Sequence, residues 1–339
     1  MRKIVALGLL LALTGTLVAA ATAAPRKDTT LVVYSGRAES FVKPMFDEFT
    51  RLTGINVQVR YGDSAALAAT LLEEGTRTPA DVFFAQDAGA LGAVASKGRL
   101  AILPQGTLAR VPARFRAPGK RWVATSARAR VAAYNTNEVR PSELPSSIWG
   151  YTHPRWRGKV GLPPTNASFQ AMVTAMRLRG GEDRTRDWLL AMKANDVKFY
   201  SGNTQILAAL ASGEIQVGLT NHYYLYQLKE QRPTVPVANH FLTGRDPGAL
   251  VNIAGMGITT ASSQKAAALR LVNFMLSQQA QRFFARSPGR AEYPLAARAR
   301  PRPGLPPLTR IQGAGIRLGS LGPQLQRTLR LLSETGYTR

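Results

Sequence analysis

The stretch LVVYSGRAESFVKPMFDEFTRLTGINVQVRYGDS, residues 31–64, decides the fold class. Leu31-Val32-Val33-Tyr34 is a short apolar run and reads as a strand. Val42, Met45, Phe46, Phe49 and Leu52 then recur every three or four residues. That spacing lays one apolar stripe along a helix. Gly54 supplies the stop, because glycine enters the left-handed conformation that ends helices. From Ile55 the period changes to two: Ile55, Val57, Val59 and Tyr61 alternate with Asn56, Gln58 and Arg60, a half-buried strand. Asp63 or Ser64 can cap a second helix running through Glu74 to Gly75. Ala80 to Ala85 is a further apolar strand. Parallel strands need a crossover, so this βαβαβ order implies a mostly parallel sheet with helices on both faces.

A second α/β region follows. Arg130 to Tyr134, Val160 to Leu162 and Ile215 to Leu219 read as strands. Helices are expected from Asn166, from near Asp183, from Asn203 and, capped by Asn221, from the segment after it. Strand patterning returns near Leu250 to Ile258. One long helix is then expected to carry Leu269, Val272, Leu276, Ala280 and Phe283 on a single face. Ala299 to Pro307, rich in Pro and Arg, reads as a linker, and Leu321, Leu325, Leu329 and Leu332 as a final docking helix. Two α/β lobes imply a cleft between them, with crossing segments near Ala127 to Tyr134 and near Leu250. Ligands of such sheets sit at strand-to-helix turns.

Arg2 and Lys3, the apolar run Ile4 to Val18 and the Ala21-Thr22-Ala23 cleavage pattern read as a secretory signal peptide over residues 1–23. The roughly 315 residues that remain are enough for two cores. The sequence has no cysteine, which excludes disulfides, thiolate metal sites, thiol catalysis and a lipid-attached lipoprotein. Lys and Arg number 44 against 20 Asp and Glu, a formal net charge of +24. Such a balance raises nucleic acid as a partner. The export signal argues against it, and the basic residues are scattered. A soluble basic protein of the cell envelope is the expectation.

Five turns hold the polar residues that could carry chemistry. They are Tyr34-Ser35-Gly36-Arg37-Ala38-Glu39, Phe84-Ala85-Gln86-Asp87, Pro164-Thr165-Asn166-Ala167-Ser168, Tyr200-Ser201-Gly202-Asn203 and Thr220-Asn221-His222-Tyr223-Tyr224. Small polar side chains at helix starts favour an anion, though capping alone explains any one of them. The pair Tyr223-Tyr224 fits an aromatic packing contact. It also fits two phenolate donors for a hard ferric ion that displaces protons of pKa about 10.

The chain resembles the bacterial periplasmic ferric-ion-binding proteins, the iron-receptor branch of the type II solute-binding proteins. The segments that carry the resemblance are VVYSGR (32–37), PADVFFAQ (79–86), SARARVAAYNT (126–136), PTNASFQ (164–170), NHYYLY (221–226), DPGALVNIAG (246–255) and EYPL (292–295). It implies an N-terminal lobe of 27–127 and 251–300 and a C-terminal lobe of 128–250 and 301–339. It further implies Tyr223 and Tyr224 as iron ligands. A synergistic anion (carbonate, phosphate or citrate) would be held by Asn166, Ala167, Ser168, Asn203, Asn221 and Arg128. The sequence departs from the family at Ala38, where some members have a histidine ligand, at Gln86, where some have glutamate, and at Ser168, where others have tyrosine. Exogenous anions or water must then complete the metal's shell. Arg37 could grip such an anion or make a loop salt bridge, perhaps with Glu39. His222 is expected to pack or be solvated rather than bind metal.

The implied function is an extracytoplasmic monomer that delivers ferric iron, or a ferric chelate, to the permease of an ABC transporter, with no catalysis. A receptor for a phosphorylated organic anion without metal is the alternative. A secreted hydrolase lacks a visible base and nucleophile pair. A cationic envelope-binding protein would show salt-dependent, unsaturable binding.

Overall fold

A computed structural model describes residues 29–311 and 313–338. The expected signal peptide lies outside the described residues. In chain order the first elements are β1 (Thr30–Ser35), α1 (Glu39–Thr53), β2 (Asn56–Tyr61), α2 (Ser64–Glu74), β3 (Val82–Ala85), α3 (Ala88–Ser96), the short α4 (Gln105–Leu108) and β4 (Val123–Asn135). Then come β5 (Val160–Leu162), α5 (Ala167–Gly180), α6 (Glu182–Ala194), β6 (Lys198–Phe199), α7 (Asn203–Ser212), β7 (Val217–Asn221), α8 (Tyr224–Gln231) and β8 (Val237–His240). The last are β9 (Val251–Ile258), α9 (Lys265–Met275), α10 (Gln278–Arg286), β10 (Tyr293–Pro294) and α11 (Leu325–Glu334).

The strands run in the order β2-β1-β3-β9-β4-β7-β5-β6. Two parallel triplets, β2-β1-β3 and β7-β5-β6, are the sheet cores of two lobes. Antiparallel strands join them. Val123 to Ala129 of β4 pair with β9, and Arg130 to Tyr134 of the same strand pair with β7. One continuous strand thus belongs to both lobes, and all thirteen of its residues are buried. The entry to β9 crosses beside it, with the Arg130 amide donating to the Leu250 carbonyl at 2.9 Å.

Each lobe has its own packing. Phe49, Phe83, Trp122 and Leu271 belong to the first core, and Trp156, Phe169, Leu189 and Leu219 to the second. A third cluster, with Ile206, Leu210 and Leu225, lies under α7 and α8. Residues 318–337 divide their packing: Leu318 and Leu321 join the first core, and Leu331, Leu332 and Tyr337 the second. The buried stripe on α1 is Phe41, Val42, Met45, Phe46 and Phe49, and Gly54 closes the helix at φ 70° as its spacing predicts.

Two expectations fail. The single long helix after β9 is two helices, α9 and α10, because Ser277 starts a new one by accepting from the Ala280 amide at 3.3 Å. The apolar period runs through that break and hides it. Asn221 does not cap α8. It is the last residue of β7, fully buried, with its amide used elsewhere.

Candidate functional site

The turn after β7 presents the two phenols. Tyr223 is 3% exposed and Tyr224 half-buried. Their rings stack with centroids 4.4 Å apart and planes at 28°. Phe41 of α1, from the first lobe, packs on Tyr223 at 5.7 Å. Burial pushes the Tyr223 phenol well above its ordinary value, and neighbouring Tyr224 adds to this. Arg37 and Arg128 oppose the shift. The phenol is therefore protonated at neutral pH until a cation displaces the proton. A cleft of ≈ 570 Å³ opens beside Tyr224, lined by Ser40 and Phe41 of α1, by α7 and α8, and by Arg290. Glu230 of α8 accepts from the Gly289 amide across it at 3.1 Å.

Beneath the tyrosines lies a connected polar network. Arg128 Nη2 donates to Ser168 Oγ at 3.1 Å, and Asn221 Nδ2 donates to the same oxygen at 3.2 Å. Arg130 Nη1 donates to Asn221 Oδ1 at 3.3 Å. Both guanidinium groups are buried. Arg128 Nε and Nη1 and Arg130 Nε have no protein partner, and neither do the two amide atoms of buried Asn203. Unpartnered buried polar atoms are uncommon because each forfeits its hydration, and those of Arg128 and Arg130 belong to one hydrogen-bonded network through Ser168 and Asn221. Burial lowers the pKa of Arg128, and that of Arg130 to about 9. Arg130 remains cationic at neutral pH.

The remaining expected residues divide. Asn166 caps α5, its Oδ1 accepting from the Ser168 amide at 3.0 Å, so part of that side chain is committed. Ala167 begins the helix. Arg37 is buried, but its partner is not Glu39: Nη2 meets Glu292 Oε1 at 2.9 Å, and Nη1 is unpartnered. Glu292 also accepts from Ser126 Oγ at 2.7 Å. Ala38 is exposed just before α1, and Gln86 is half-buried at the end of β3. The two turns touch through Ser64, whose Oγ accepts from the Gln86 amide at 2.8 Å. A Cβ on Gly36 would lie 2.0 Å from that oxygen, so only glycine lets the turns approach.

His222 is wholly buried. Its Nδ1 accepts from the Ala129 amide at 3.1 Å, and its Nε2 donates to the Ala291 carbonyl at 2.7 Å. Both nitrogens are used, and desolvation first of all depresses its pKa to about 4. Of its two expected surroundings, packing holds and solvation does not. Among the described residues no group of three or more His, Cys, Asp or Glu could hold a metal. Sequence reasoning missed Arg130 and Glu292. Arg130 lies two residues after Arg128 on one strand, so strand alternation was the available signal.

Two lobes joined by a shared strand, with polar groups at strand-to-helix turns, are the architecture of a solute-binding protein. The profile of the bacterial extracellular solute-binding proteins matches residues 77–307, and the chain belongs to that family. It is 31% identical over 311 residues to the Fe(3+)-binding periplasmic protein of Serratia marcescens, covering 91% of each chain. It is 33% identical to the major ferric iron-binding protein of Neisseria meningitidis, covering 94% of this chain and 97% of that one. Iron-bound HitA from Pseudomonas aeruginosa superposes with a TM-score of 0.86 at 32% identity, covering 91% and 99%. The Trichodesmium protein IdiA, solved with iron and citrate, does so at 0.73 and 28%, covering 91% and 100%. Among the described residues no helix is long and apolar enough to cross a membrane.

Proposed function

We propose that this protein captures ferric iron outside the cytoplasm, with a small external anion or as a chelate, and passes it to the permease of an ABC transporter. One juxtaposition carries the reading. A stacked phenol pair stands beside buried guanidinium nitrogens that have no protein partner. Phenolate oxygen suits a hard trivalent cation, and oriented guanidinium groups suit an oxyanion. The named ligand of the Serratia and Neisseria relatives is ferric iron, and the Trichodesmium structure pairs iron with citrate; both support this assignment.

In this account Tyr223 and Tyr224 are the iron donors. Arg128, Ser168, Asn221 and Asn203 hold the anion, with Arg130 behind them and Asn166 and Ala167 fixing the start of α5. The free Nη1 of Arg37 offers one further contact. Ala38 and Gln86 supply no anionic oxygen, so the anion completes the coordination shell. Two phenolates leave a ferric ion about +1, and Arg128 and Arg130 add two charges without a carboxylate in contact. An anion carrying two or three charges balances this best, such as carbonate, phosphate or citrate. The lobes close by bending at β4 and the entry to β9, and the protein works as a monomer.

The buried arginines would equally suit a phosphorylated organic anion without metal. Nothing in that reading uses the phenol pair. Loading the purified protein with ferric citrate, removing excess, and measuring bound iron separates the two. A single retained ferric ion per chain is expected. No retained iron, together with saturable binding of a sugar phosphate, would overturn the proposal.

A further inference from the structure

Residues 282–302 contain six arginines and one carboxylate, Glu292. That carboxylate is buried against Arg37. Four of the arginines, Arg282, Arg286, Arg298 and Arg300, line a single open cleft of ≈ 760 Å³ beside α1 and α10. No Asp or Glu lines it, and it shares no residue with the cleft at Tyr224. Met45 and Phe283 give it an apolar wall.

With 24 surplus positive charges, unpaired arginines alone would mean little. Three features bear on this cleft. First, four arginines share one concavity, and among the described residues none of the four meets a carboxylate within 4.0 Å; unpaired arginines occur on other surfaces too, so it is their gathering that matters. Gln279 on the rim does touch Glu48, but that carboxylate is already held by Arg51. Second, Arg286 is pre-oriented: its Nε donates to the Arg300 carbonyl at 3.0 Å and its Nη2 to the Pro301 carbonyl at 3.0 Å. Third, Ala297 and Arg298 are consecutive non-glycine residues with φ of 55° and 51°. Non-glycine residues rarely adopt this left-handed conformation, and it persists where the surroundings or a ligand require it. This unusual backbone delivers Arg298 and Arg300 to the cleft.

Guanidinium forks match the paired oxygens of phosphate, and several in one concavity match several phosphates. We propose that this cleft binds clustered phosphate groups, as presented by an anionic lipid surface or by a soluble oligophosphate. It would hold the protein near a phosphate-rich boundary while leaving the iron cleft free.

The test uses the purified full-length secreted protein with two probes. Sedimentation with phosphatidylglycerol–phosphatidylcholine vesicles, against phosphatidylcholine alone, reads lipid binding. Calorimetry with tripolyphosphate reads the soluble ligand. The triple variant Arg282→Gln, Arg298→Gln, Arg300→Gln should weaken whichever binding occurs roughly 100-fold. The triple variant Lys97→Gln, Arg179→Gln, Arg330→Gln removes the same charge from exposed positions elsewhere and should cost no more than about fivefold. Iron loading reports that both variants are folded. Binding to vesicles alone names lipid as the source, and binding to tripolyphosphate alone names the soluble one. No binding of either probe by the unaltered protein, or equal losses in the two triple variants, overturns the proposal.

Discussion

Replacing Arg128 by Met should move two properties in opposite directions. The guanidinium is wholly buried, and only Nη2 has a protein partner, Ser168 Oγ at 3.1 Å. Nε and Nη1 have none. In the ligand-free protein this is a desolvated charge with little compensation, so a thioether of similar length should stabilise the fold by about 1–4 kcal/mol. On the proposed function, the two free nitrogens become charge-assisted donors to the anion once it binds. At about 1.5–3 kcal/mol each, their loss amounts to roughly 3–6 kcal/mol, or about 10²- to 10⁴-fold in anion-dependent iron affinity. Urea unfolding of the iron-free protein reads the first effect. Ferric titrations with and without carbonate, phosphate or citrate read the second. If the iron-free variant is less stable and its anion dependence is intact, Arg128 is a structural cation and the anion lies elsewhere.

Three further outcomes follow from the same geometry. Gln86→Glu adds an anionic oxygen where the protein offers none, so iron should bind more tightly in anion-poor buffer; no gain there would mean that position 86 does not face the metal. Glu292→Gln leaves Arg37 buried without its counter-charge and should cost about 3–5 kcal/mol of unfolding free energy, read by urea denaturation. His222 has a folded pKa near 4 against an ordinary 6.5, so the unfolded chain binds the extra proton between these values. Stability should therefore be full above pH 6.5 and fall by about 3 kcal/mol on approaching pH 4 from this group alone. His222→Gln should flatten that part of the profile; an unchanged slope would show that other groups set it.

Local periodicity made the lobes legible. The switch from a three-four spacing in α1 to strict alternation in β2 needs only nearest neighbours along the chain, and so does the Gly54 stop. The helix starts at Asn166 and Asn203 were readable for the same reason. What escaped was set across the chain. Arg37 and Glu292 are 255 residues apart, and no local pattern joins them. The role of Asn221 changed because β7 extends through it and its amide is drawn to Arg130 and Ser168. The break between α9 and α10 was written locally in Ser277, but an uninterrupted apolar stripe outweighed it. The resemblance named the phenol pair and Arg128 as candidates, whereas the link from Arg130 to Arg128 through Asn221 and Ser168 needed the fold.

The central claim is that two phenolates take the metal. The visible spectrum of the ferric-loaded protein tests it most directly, because iron bound to phenolate gives a charge-transfer band that neither component has alone. Loaded unaltered protein should be coloured, and Tyr223→Phe and Tyr224→Phe should each lose much of the band and release iron more readily as pH falls. A colourless unaltered protein that still retains iron, or a band unchanged in both variants, would contradict the account.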